Sequence, residues 1–146
     1  MKKILLATLL LVALTSATFA DGKNSAKLLS DLNTALKTVS ESSWHTTELY
    51  KKAQFTLNNK SISAYVNTET NELIGFAIII DANALPLGTA ENIAKKYKAW
   101  QMVNQMLFID ASGNTSYFVQ VNKKQNSLIL KVSDKGKTSI YSKTQL

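Results

Sequence analysis

Between Ser25 and Val39 the apolar positions Leu29, Leu32, Leu36 and Val39 fall three and four residues apart, with Leu28 and Ala35 widening the stripe. That spacing predicts an amphipathic helix, and Ser25 is placed to cap its start. The period then changes to two. Trp44 stands alone in a polar stretch. Beyond it Ala53, Phe55 and Leu57 alternate with Lys52, Gln54 and Thr56, and Ile62, Ala64 and Val66 alternate with serines and Tyr65. Asn58-Asn59-Lys60 between the two runs predicts a tight hairpin, because asparagine tolerates the left-handed conformation such a turn requires. A second polar turn, Asn67 to Glu72, leads to a run from Leu73 to Ile80 that is apolar on both faces. Such a run predicts a central strand covered by helix on at least one side, and Gly75 within it predicts a bulge or a close backbone approach.

Asp81, Asn83 and Pro86 end that strand. Gly88 and Thr89 mark the start of a second helix, in which Ala90, Ile93, Ala94 and Tyr97 repeat at i, i+3, i+4 and i+7. Pro86 fits before or in its first turn, where no hydrogen-bond donor is lost. Glu91 lies near the positive end of this helix, and Lys95, Lys96 and Lys98 near the negative end, so both complement its dipole. From Trp100 the period is two again: Trp100, Met102, Asn104, Met106 and Phe108 are expected on one face of a long strand, with Val103, Leu107 and Ile109 on the other. Asp110–Asn114 turns the chain, Thr115–Val121 runs back, Asn122–Asn126 turns it again, and Ser127–Ser133 follows. Asp134-Lys135-Gly136, with Gly136 left-handed, then leads to Lys137–Lys143 as a last, edge-like strand whose lysines discourage edge-to-edge pairing. The expected fold is α+β: two helices packed on one face of a mostly antiparallel, meandering sheet, in the order helix and strands, then helix and strands.

The two ends and the charge narrow the setting. Residues 1–20 open with Lys2 and Lys3, continue as an apolar run from Ile4 to Leu14 and close on small residues, which reads as a secretory signal peptide cleaved before Asp21. The run is shorter than the roughly twenty apolar residues that span a bilayer, and no comparable run follows, so no transmembrane segment is expected. The remaining 126 of 146 residues, 21–146, are the size of one domain. No cysteine is present, which excludes disulfides, thiolate nucleophiles and cysteine-held metal. From Asp21 to Ala94 six lysines face eight acids, and from Lys95 to Leu146 nine lysines face two, so the +5 of residues 21–146 comes from the second half. Every cation is lysine. The absence of arginine, which grips phosphates and base edges bidentately, argues against nucleic acid as a partner.

Motifs for catalysis are sparse. His45 is the single histidine; as a general base it would need Glu41 or Glu48 to orient it and Ser42 or Ser43 as nucleophile, yet no sharp turn sets these together and a strand would place His45 and Trp44 on opposite faces. Zinc would need three or four convergent ligands. Asp81, Asp110 and Asp134 each stand where a turn begins, and Asp110–Asn114 lacks the alternating ligands and final glutamate of an EF-hand. No glycine-rich phosphate loop or nucleophile elbow occurs, and no cofactor is expected. The aromatics Trp44, Tyr50, Phe55, Tyr65, Trp100, Tyr117 and Tyr141 include the residue types that serve recognition surfaces. The candidates for an interaction surface are Trp44 and Tyr65 with Lys123, Lys124, Lys135 and Lys137.

The order of these features also resembles a known family. The Trp44 strand, AQFTLNNKSISAYVN, the strand holding Gly75, Leu85-Pro86 before a helix ending in Tyr97, YFVQV and LILKVSDKG follow one another as in the PepSY-like, β-lactamase-inhibitor-like family of small exported Bacteroidetes proteins. The resemblance covers nearly all of residues 21–146. It implies helix-plus-antiparallel-strand units as in β-lactamase inhibitory protein, and it brings no catalytic residues. Where the family has a glycine-containing turn this chain has TETNELIG, with Asn71 the left-handed substitute. The expected function is an exported, non-enzymatic binding module in the periplasm or secreted, whose partner is an envelope protein such as a hydrolase. The alternative is a lysine-rich accessory protein held electrostatically on anionic envelope polymers or lipids.

Overall fold

The computed structural model describes residues 22–133 and 135–146; the signal-peptide reading of residues 1–20 and the turn-starting role of Asp134 lie outside them. The chain forms α1 (Gly22–Leu36), a short 3₁₀ turn, β1 (Trp44–Thr46), β2 (Tyr50–Leu57), β3 (Lys60–Asn67) and β4 (Leu73–Ile79). After a second 3₁₀ turn come α2 (Thr89–Lys96), β5 (Gln101–Asp110), β6 (Thr115–Lys123), β7 (Asn126–Val132) and β8 (Thr138–Gln145). Each helix is followed by four strands. All eight strands join one antiparallel sheet in sequence order, β1 to β8.

Local chemistry explains the turns. Asn58 and Asn59 both have positive φ, 51° and 61°, the pairing a two-residue hairpin needs to match the twist of its strands. Asn71 is left-handed at φ 58°, as its place in the β3–β4 turn requires, and the Asn67 side chain caps that turn by accepting from the N–H groups of Glu69 and Thr70 at 2.8 and 2.9 Å. Asp110 does the same between β5 and β6: one carboxylate oxygen accepts from the N–H groups of Ser112 and Asn114, the other from the Asn114 amide.

The core follows from register. Phe55, Ile62, Ile78, Leu107, Tyr117 and Val132 stand opposite one another across β2 to β7, and Ala53, Ala64, Phe76 and Ile109 form the next row. Leu32 from α1, Ile93 from α2 and Leu85 before it belong to the same buried cluster. Leu32, Phe76, Leu107 and Ile109 are fully buried, each excluding water at a worth of roughly 1.5–3 kcal/mol.

Three sequence expectations are corrected. Ser25 does not cap α1: it is buried inside a helix that begins by Gly22, and the helix ends at Leu36, three residues before Val39. There the N–H groups of Thr38 and Val39 bond three residues back and tighten the last turn. Ala94, placed on the apolar stripe of α2, is exposed. In β5 the register shifts between Met102 and Asn104, a bulge with Val103 as the extra residue. It turns Trp100 and Met102 onto the buried cluster with Leu107 and Ile109, while Asn104, Met106 and Phe108 stay on the opposite face. Strict alternation misses this, because one extra residue exchanges the faces of everything before it.

Candidate interaction surface

The face of the sheet opposite the buried cluster carries a stripe of aromatic and flexible apolar side chains. Its rows follow from pairing: Lys52, Tyr65 and Gly75 across β2 to β4; Ser63, Ala77, Phe108 and Ser116 across β3 to β6; Ile79, Met106, Phe118 and Lys131 across β4 to β7. Tyr50 meets Tyr65 edge-to-face at 5.3 Å, and the Lys52 ammonium lies 5.8 Å from the centre of the Tyr65 ring. At the other side Phe118 meets Tyr141 edge-to-face at 5.1 Å. Tyr65, Met106, Phe108 and Phe118 are half-buried, and Ile79 and Tyr141 are 45% and 66% exposed.

Gly75 shapes the middle of this stripe. A Cβ there would run into the carbonyl oxygen of Ile109 and stand 2.6 Å from the tip of the Phe108 ring. The ring therefore lies down over the glycine and covers both strands. Ala77, two residues on, keeps the surface shallow. The Leu73–Ile80 run owes its apolar second face to this surface: small residues shielded by an aromatic neighbour, then Ile79 facing solvent.

The structure divides the predicted site residues. Trp44 pairs with Ala53 and packs on the buried cluster, so it and Tyr65 lie on opposite faces. Of the other aromatics, Phe55, Trp100 and Tyr117 also pack on the cluster, while Tyr50, Tyr65 and Tyr141 join the outer stripe. Phe108, Phe118 and Met106 complete that stripe, and sequence reasoning did not single them out. The period-two pattern held a signal for them, since each alternates with a residue of the buried rows. The lysines separate as well. Lys123 and Lys124 stand at the β6–β7 turn, Lys135 and Lys137 at the β7–β8 turn, at opposite ends of a strand about 20 Å long.

Among the described residues the ion pairs are Lys27 with Asp31 at 2.9 Å and Lys60 with Asp81 at 3.5 Å. None of the nine lysines from Lys95 onward takes part in one. His45 is exposed on β1 and makes no hydrogen bond to Glu41, Glu48, Ser42 or Ser43; Ser40 instead bonds Ser42 and Ser43 at 3.0 and 3.1 Å. Asp110 titrates below its ordinary range: desolvation, which pushes it up, is outweighed by the Asn114 side chain and by the N–H groups of Asn114, Ser112 and Gly113. Among the described residues no three His, Asp or Glu side chains converge as metal ligands would, and no helix is long and apolar enough to cross a membrane.

Solved structures share this fold. A DUF2874 family protein from Bacteroides uniformis aligns with TM-score 0.60 at 14% identity, over 83% of this chain and 87% of its own. A protein ascribed to the periplasm of Bacteroides eggerthii aligns equally well, at 14% identity over 83% and 86%. A BLIP-like protein from Bacteroides fragilis reaches 0.57 at 13% identity over 82% and 85%. At such identities the likeness shows the fold alone. No family profile and no curated protein matches the chain.

Proposed function

We propose that the protein is an exported, non-enzymatic binding module of PepSY-like and BLIP-like type, in which both helices lie over the buried face and the outer face engages an envelope protein. Inhibition of a hydrolase is one form this takes. The observation that carries the reading is the stripe Tyr65–Phe108–Met106–Phe118–Tyr141. Aromatic rings offer large contact area at low rotamer entropy, and methionine adapts to a partner's contour, which is the composition of interface cores. Likeness to a BLIP-like protein and to a protein ascribed to the periplasm supports the class and the compartment.

The test is capture from an envelope extract with residues 21–146 as bait, wild type beside Met106→Glu and Phe118→Glu. Both side chains are half-buried on the outer face rather than in the core, and a melting curve checks that the variants keep the fold. The reading expects a protein retained by wild type and lost by both variants. Equal retention by all three would sink it.

A second reading rests on the nine lysines from Lys95 onward, none in an ion pair among the described residues: attachment to anionic envelope polymers or lipids. Salt separates the two, because at about 0.5 M charge attraction is screened beyond about 4 Å. Retention that survives such salt removes the electrostatic reading.

A further inference from the structure

The turn before α2 holds an apolar side chain where solvent would normally select a polar one. Leu87 is 99% exposed. It stands at the apex of a closed turn: both the hydroxyl and the N–H of Thr89 donate to the Pro86 carbonyl, at 2.6 and 3.1 Å, and Gly88 follows with φ 81°. Thr89 is itself fully buried, so the apex is fixed to the core rather than free to fold its leucine away.

Lysines stand on the segments next to this apex. The β7–β8 turn packs directly on it, close enough that a Cβ on Gly136 would stand 2.9 Å from the Leu87 carbonyl oxygen. Lys135 and Lys137 flank Gly136 and are exposed. Beside them Lys95, Lys96 and Lys137 line a shallow depression with Asn92, Gly136 and Thr138. Ile140, two residues along β8, is 60% exposed. Against these four lysines the two segments carry Glu91 and Asp134, an excess of two positive charges, and none of the lysines is in an ion pair among the described residues.

We infer that this corner docks on an anionic lipid surface, with Leu87 entering the headgroup boundary and Lys95, Lys96, Lys135 and Lys137 meeting the headgroups. The combination is the one that interfacial anchoring uses: an exposed apolar group for the acyl boundary, with cations on the neighbouring segments for the surface potential. The charge selects an anionic surface, and the protruding leucine selects the lipid: a protein partner would want it in a pocket, whereas a bilayer needs it only to protrude. The inference deepens the electrostatic reading and draws nothing from the outer sheet face.

The experiment is sedimentation of residues 21–146 with vesicles of phosphatidylcholine alone and of phosphatidylcholine with phosphatidylglycerol. Removing residues 1–20 keeps their apolar run from binding lipid, and residues 22–146 carry every described strand and helix. The expected result is binding that needs phosphatidylglycerol. It should weaken about tenfold in Leu87→Ser and about 30-fold in the double variant Lys135→Gln, Lys137→Gln, at roughly fivefold per lysine. Leu146→Ser removes an exposed leucine beside Gln125, at the other end of the sheet, and should leave binding unchanged. No binding to the anionic vesicles overturns the inference, as does equal binding by Leu87→Ser. In the second case, competition by soluble polyphosphate would show that the electrostatic reading stands without the lipid; in the first, absence of binding to polyphosphate as well overturns both.

Discussion

Replacing Gly75 with alanine places one methyl group between β4 and β5, and the surroundings set its cost. The new Cβ would overlap the Ile109 carbonyl oxygen and stand 2.6 Å from the Phe108 ring tip and 3.0 Å from the Asp110 Cα. Carbon atoms rest at about 3.5–4.0 Å, so the ring must retreat by about 1 Å. It can do so, being half-buried on an open face. The Ile109 carbonyl cannot, because Ile109 is fully buried and held in register between Phe76 and Thr115. Overpacking of this kind costs about 1–3 kcal/mol, against roughly 0.4–1 kcal/mol that alanine returns by restricting the unfolded chain. The net expectation is a loss of about 1–2 kcal/mol, a fall in Tm of roughly 4–8 °C for a domain of this size. Thermal and urea unfolding followed by circular dichroism measure it. Phe108→Ala added to Gly75→Ala should recover only the ring's share of the loss, so the cycle divides side-chain from backbone crowding. A Gly75→Ala protein that melts at or above the wild-type temperature would refute the close approach.

Other substitutions probe the remaining elements. Leu32→Ala empties the fully buried contact of α1 with the sheet and should cost about 2–5 kcal/mol by urea midpoint; an effect below about 1 kcal/mol would mean that α1 contributes little to the core. Gly136→Ala combines a left-handed φ of 75° with a Cβ 2.9 Å from the Leu87 carbonyl, so its Tm should fall further than that of Gly113→Ala, which shares the positive φ but has its nearest neighbour at 3.9 Å. Asp110 has a folded pKa below its unfolded value, so its contribution to stability is full above about pH 3.9 and is lost as pH falls through the lower folded value. Asp110→Asn should therefore be less stable than wild type at neutral pH, with the gap closing in acid; urea midpoints at both pH values decide it.

Much of the architecture was legible because short-range chemistry carries it. Asn58-Asn59 and Asn71 occupy left-handed conformations that few residues accept, so the turns could be placed without knowing what packs above them. Within β1–β4 and within β5–β8 short turns force consecutive strands to pair antiparallel, while β4 and β5 pair across the connection through α2. The start of α1 was not legible, because Ser25 reads as a cap only while the preceding turn is unknown, and burial overrides that preference. The outer aromatic stripe was partly legible. Tyr65 was named and Phe108 and Phe118 were not, since an aromatic residue on a strand reads the same from either face. Trp44, named with Tyr65, packs against the buried cluster on the opposite face.

By itself the sequence determined the kinds of elements, their order and their turns, because helical and strand periods and positive-φ residues are properties of a few neighbouring positions. It also determined the excess of lysine in the second half. Only the tertiary structure decided which face each residue takes after the bulge at Val103, since a bulge is settled by the partner strand. Only it brought Phe108 over Gly75, made Leu87 a fixed exposed apex against the β7–β8 turn, and parted Lys123 and Lys124 from Lys135 and Lys137. Those are contacts between residues far apart in the chain, and local propensity places no constraint on them until the sheet has closed.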